Sequence, residues 1–221
     1  MLWADDPDPS HGPLSVLVRR AIPTDFLPPG RFLPPNREAS ILMILTIPQA
    51  MERLQIGSRR QLSKLLDTGL LASLEATEVD AIAAWPLLEL APDECGIAVH
   101  LSSYQEEEQS NDPDDGSQRR WYGWERGNPL GLMQRDIDRG WVGYWPVSKV
   151  RATELQGGFL VGSIAGFIPR DLVRRIEGFV SFPIEETSRI VFEVSKLNKT
   201  NLDRIGNRRI VAKRGGIWQT L

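Results

Sequence analysis

The residues best suited to chemistry lie in three places. Arg59, Arg60, Gln61, Ser63 and Lys64 crowd one short stretch. Cations of this kind neutralise phosphate, while Arg and Gln also reach base edges in a major groove. Lys196, Lys199, Arg204, Arg208, Arg209, Lys213 and Arg214 form a second basic run near the C-terminus. Trp121, Trp124, Trp141 and Trp145 form the third group, with the flat faces that stack on bases. Each group also has a plainer reading: the cations as a solvated face, the tryptophans as core.

Catalytic patterns are missing. Gly162-Ser163 lacks the flanking glycine spacing of a nucleophile elbow. Cys95 has His100 nearby in sequence but no third group to orient it. Glu193 and Lys196 stand three apart, where a nuclease strand needs an acid and a lysine two apart, and Glu185-Glu186 are adjacent and splay. Distant residues can still converge, so an enzyme stays open, but the sequence leans against one. One cysteine and two histidines cannot build a zinc site of the usual spacing, and no phosphate loop or dinucleotide fingerprint is present. The expectation is therefore no metal, no cofactor and no catalytic residue.

The elements that must position these groups follow from caps and periodicity. Thr46 precedes Gln49 by three residues and Ser58 precedes Gln61 by three, two capping boxes in close succession. Pro48 suits a first helical turn, Gly57 stands where the chain must reverse, and Gly69 suits a left-handed helix end. Ile47, Met51, Leu54, Ile56, Leu62, Leu65 and Leu66 supply the facing apolar sides. A third helix is expected from a Thr77 cap to about Ala84, stopped by Trp85-Pro86.

This stretch resembles the MerR/excisionase-type helix-turn-helix family over residues 44–84. Leu45-Thr46, Ile56-Gly57-Ser58, Leu62, Leu65-Leu66 and Gly69-Leu70-Leu71 carry the resemblance. Gln55 stands where the family usually has a turn glycine, Met51 where it has a small residue, and residues 72–77 lack the family's basic wing. The resemblance implies a recognition helix bearing Arg59, Arg60, Gln61, Ser63 and Lys64.

The rest of the chain divides by composition. Residues 1–40 hold half of the prolines and read as an extended or disordered arm. Residues 41–86 form the helical module, and 87–117 a connecting strand (Gly96–Tyr104, apolar at alternate positions) followed by an acidic loop. Residues 118–221 form a basic, β-rich domain. In that domain the aromatic stretches Trp121–Glu125 and Trp141–Val147 read as strands around a helix from Pro129 to Arg139, capped by Asn128. Three further strands follow Gln156, the first rich in glycine and suited to a bent or bulged barrel strand. The order of aromatic strands, helix and glycine-rich strands loosely resembles PUA-like modules such as EVE and ASCH, which implies a reader of nucleic acids or modified bases. The fold class expected is α+β: an N-terminal helix-turn-helix followed by a small curved sheet or barrel with one inserted helix.

Charge supports an anionic partner. The 221 residues carry a formal net charge of -3, yet the sign is segregated. From Glu78 to Ser117 there is no Lys or Arg, whereas from Gln118 onward eighteen Lys and Arg face ten Asp and Glu. The lone cysteine suggests a reducing compartment, and no apolar run is long enough to span a bilayer, so a cytoplasmic protein is expected. The expected partner is nucleic acid, DNA first, in control of transcription or of a mobile element. The C-terminal domain would supply homodimerisation, an effector site or further nucleic-acid contact.

Overall fold

A computed structural model describes residues 43–106, 121–131, 138, 140–143, 145–184, 187–211 and 216–221. The Pro-rich arm, the acidic loop at 107–117 and most of the helix expected over 129–139 lie outside them.

Three short helices open the described chain: α1 (Ile47–Leu54), α2 (Arg59–Asp67) and α3 (Ala76–Ala83). Their buried residues recur at helical spacing, Ala50 and Leu54, then Leu62 and Leu65, then Ala76, Val79 and Ile82. Both capping pairs form. Gln49 Oε1 accepts from the Thr46 N–H at 2.9 Å, and Ser58 Oγ accepts from the Gln61 N–H at 3.3 Å. Gln61 Oε1 reaches one residue further back than expected, to the Gly57 N–H at 3.0 Å. The reversal between α1 and α2 falls on Gln55, at φ 56°, rather than on Gly57. Gly69, at φ 66°, follows the α2 C-cap, and its N–H bonds the Leu66 carbonyl at 2.9 Å. The third helix starts two residues earlier than expected, with Glu75 rather than Thr77 at its N-cap. The strands before α1 and α3 are tied together, Leu45 N–H to Leu74 O and Ala76 N–H to Met43 O, both at 2.8 Å.

The sheet is mixed and open, not a barrel. β1 (Gly96–His100) lies beside β4 (Phe159–Ser163) in parallel, Gly96 against Phe159 and His100 against Ser163. The order across the sheet is β7 (Thr187–Ser195), β6 (Val173–Ile184), β4, β1, β9 (Trp218–Thr220), so β7 and β9 are edges that never meet. Two small ladders stand apart, β2 (Gln105–Glu106) with β3 (Trp121–Tyr122), and β5 (Phe167–Ile168) with β8 (Arg208–Arg209).

β1 does not alternate as expected. Ile97, Ala98 and Val99 are all fully buried, because both faces of the sheet are covered. On one face Ile97, Val99 and Leu160 join a core with Leu54, Leu62, Leu65 and Val79 of the helices, and with Ala152 and Leu155 of the α4 turn (helix Lys149–Glu154). On the other face Ala98, Phe159 and Val161 pack with Ile205 of α5 (Lys199–Ile205). Residues Ile41–Leu221 accordingly form one compact unit.

The glycine-rich stretch 157–168 is not one bent strand. β4 ends in a two-residue turn, Ala165-Gly166, with φ of 52° and 95°, closed by paired Ile164 and Phe167 backbone bonds at 2.8 and 2.9 Å, which leads into β5. At Gly158 a side chain is excluded by contact, since a Cβ would meet Cys95 O at 2.5 Å. The expected strand over Trp141–Val147 is also corrected. Gly140–Val142 are helical, and Trp145 makes a single bridge to Ile190 at the β7 edge. Pro129 and Leu130 lie in a turn, and Asn128 sits at φ 50°, so it does not cap a helix there in the usual extended conformation.

Candidate nucleic-acid interface

The first turn of α2 is exposed. Arg59, Arg60 and Ser63 are exposed, and among the described residues neither Arg forms an ion pair. The same helix sinks Leu62 and Leu65 into the core, so its orientation is set by burial and the cations take what is left.

Lys64 and Gln61 behave differently from their neighbours. Gln61 is half-buried, and its Oε1 is occupied by the Gly57 N–H and the Ser58 hydroxyl, which leaves only its amide nitrogen to contact a partner. Lys64 is half-buried and near enough to His100, at the end of β1, to act on it electrostatically. Burial lowers its pKa first, and the Arg60 guanidinium lowers it further. His100 is likewise held below its ordinary 6.5, chiefly by burial, then by the Lys64 cation, with Gln219 opposing. Burial is the larger cause at both Lys64 and His100, and the Arg60 and Lys64 cations add to it in turn.

No protein-family model, curated protein or solved structure matches this chain. The site must therefore be judged on its own geometry.

The C-terminal cations do not form one surface. Lys196 and Lys199 are exposed. Arg204 is a structural residue: its Nη1 donates to Glu94 Oε2 at 2.7 Å, its Nη2 to Glu94 Oε1, and its guanidinium lies 5.7 Å from the Phe159 ring centre. That pair holds the Glu94 carboxyl below its ordinary range. Arg208 donates Nε to the Arg204 carbonyl at 2.8 Å. Arg209 alone is brought to the α2 region. It shares a cleft of about 320 Å³ with Gln55, Ile56 and Gln61. Lys213 and Arg214 lie outside the described residues. Backbone bonds explain the meeting: the Arg209 N–H bonds Pro86 O at 2.8 Å, and its carbonyl accepts from Leu88 at 2.7 Å, tying β8 to the segment after α3.

The three tryptophans whose side chains are described do not converge on one pocket. Trp141 is fully buried, with the Arg174 guanidinium 5.6 Å from its ring centre. Trp124 is 3% exposed, and its Nε1–H donates to Asp171 Oδ2 at 3.3 Å. Trp145 is half-buried and donates to the Trp141 carbonyl at 2.9 Å. The side chain of Trp121 lies outside the described set. Trp124 and Trp141 are core residues, as large aromatics commonly are.

Two sets of residues escaped the sequence reading. His100 closes β1, and nothing in its local sequence marks its approach to Lys64, which lies in a different element. Arg174 was passed over although it stands inside an apolar strand, which was a usable signal: a cation between Val173 and Ile176 needs a partner. That partner is Asp138, at 2.6 Å from Nη2, while Nη1 donates to the Asp171 and Val173 carbonyls.

The His100 environment sets a pH dependence. A folded pKa below the unfolded value means the unfolded chain binds more protons in mild acid. The stability His100 contributes is present above about pH 6.5 and is lost as pH falls from there toward the depressed folded value. Glu94 adds its own loss only at lower pH, below its ordinary 4.5. Urea midpoints of wild type should therefore fall between pH 7 and 5.5, and His100→Gln should flatten that step. An unchanged step in the variant would assign it to other groups.

Proposed function

We propose that this protein binds duplex DNA through the exposed first turn of α2, as a regulator of transcription or of a mobile element. One observation carries the reading: Arg59 and Arg60 are exposed without ion-pair partners among the described residues, on the same short helix as the half-buried Lys64, whose pKa is lowered first by burial and then by the Arg60 cation. A site that gathers cations on an exposed turn favours a polyanion, because neutralised phosphates release condensed counterions. In this reading Arg59 and Arg60 contact backbone or base edges, Ser63 contacts phosphate, and the Gln61 amide nitrogen reaches a base acceptor. Arg209 extends the positive surface across the neighbouring cleft. A second copy of the chain would supply the other half-site.

Salt dependence tests this. Binding of the full chain to duplex DNA should weaken with added salt, with a log–log slope of about −0.9 for each phosphate neutralised. The double substitution Arg59→Ala with Arg60→Ala should make that slope shallower by up to about 1.8 and weaken binding at every salt concentration. Both residues are exposed, so the fold should be retained. A folded double variant with unchanged affinity and slope would end the reading.

A further inference from the structure

We propose that a second cleft, walled by α3 and the turn after β5, binds an apolar α-amino acid in its zwitterionic form. The cleft measures about 480 Å³, within the range of small-molecule sites at roughly 300–1,000 Å³. It shares no lining residue with the first turn of α2, so it does not depend on the DNA-binding reading. Its apolar wall is made by Leu70, Ile82 and Trp85.

Four charged side chains from separate parts of the chain line the same space: Glu78, Arg126, Arg170 and Asp171. Their existing commitments decide what they can still hold. Arg170 is paired with Asp203. Arg126 is exposed and has no ion pair among the described residues. Glu78 takes the Ser73 N–H at 2.8 Å and the Ser73 hydroxyl at 3.1 Å, both on Oε2. Asp171 takes the Trp124 indole N–H on Oδ2. Among the described residues, one cation and one oxygen of each carboxylate are therefore uncommitted.

That balance selects the ligand. A phosphate dianion would find one free guanidinium and two carboxylates, and the like charges would oppose it. A simple cation would meet the carboxylates together with two arginines. A molecule carrying an ammonium and a carboxylate a short distance apart satisfies both signs at once: its carboxylate takes Arg126, and its ammonium takes Glu78 or Asp171. An apolar side chain then covers Trp85, the half-buried member of the wall above the buried Leu70 and Ile82, which supplies affinity by removing apolar surface from water.

Calorimetric titration of the full chain with L-leucine, L-phenylalanine and L-tryptophan tests this. At least one should bind saturably. N-acetylation of that ligand, which removes the ammonium, and amidation, which removes the carboxylate, should each weaken binding about ten-fold, the effect of one charge-assisted hydrogen bond. Arg126→Ala should weaken the free amino acid by a similar factor yet leave the amide unaffected, a pattern that general destabilisation would not produce. Absence of saturable heat for all three up to on the order of 10 mM would overturn the proposal. Binding indifferent to acetylation, amidation and Arg126→Ala would overturn it equally, by showing only apolar adsorption.

Discussion

Replacing Asp138 by alanine is expected to destabilise the protein by about 3–5 kcal/mol. The Arg174 side chain is 7% exposed and Asp138 21%, and they meet at 2.6 Å. Removing the acid strands a buried guanidinium against Trp141, where water cannot restore the lost charge partner. The pair itself need not be strongly stabilising, because bringing two charges out of water cancels much of their attraction. The double replacement Asp138→Leu with Arg174→Met should therefore lie much closer to wild type than Asp138→Ala alone. Urea unfolding of the three proteins measures this. A single variant within about 1 kcal/mol of wild type would mean that water reaches Arg174 freely.

The second large effect is expected at Leu65→Ala, with a loss of about 2–5 kcal/mol. Leu65 is fully buried on α2 and belongs to the core shared with Leu54 of α1 and Ile97 of β1. Its truncation opens a cavity where helices and sheet meet, so one cooperative transition should shift as a whole. Separate melting of the helices, with the sheet transition unmoved, would show that the two parts unfold independently. The contrast with Arg59→Ala and Arg60→Ala is informative. Those exposed changes should leave the unfolding midpoint nearly constant and, on the proposed reading, alter DNA affinity.

The local features of α1 and α2 were legible in the sequence because their causes are local. A serine three residues before a glutamine, apolar residues at helical spacing and a glycine after the last turn act within one or two turns of chain. The resulting caps, buried faces and left-handed Gly69 are present in the structure. The open sheet was not legible. β1 pairs with β4 far along the chain, Gly96 against Phe159, and its full burial depends on layers contributed by α1–α3 on one face and α5 on the other. A short apolar run looks the same whether one face is covered or both. Glycine spacing likewise could not separate a bent strand from a tight turn and a close contact, since Gly166 and Gly158 answer to different neighbours.

The candidate interface divides along the same line. That Arg59, Arg60 and Ser63 would be exposed follows from the positions of Leu62 and Leu65 on one short helix. That Lys64 comes within electrostatic reach of His100, that Arg209 joins the α2 cleft and that Arg204 is held by Glu94 were decided by tertiary contacts alone. Charge type is a property of the sequence. Whether a charge is free to meet a partner depends on which distant residue reaches it first, and only packing brings Glu94 to Arg204 and leaves Arg59 uncovered.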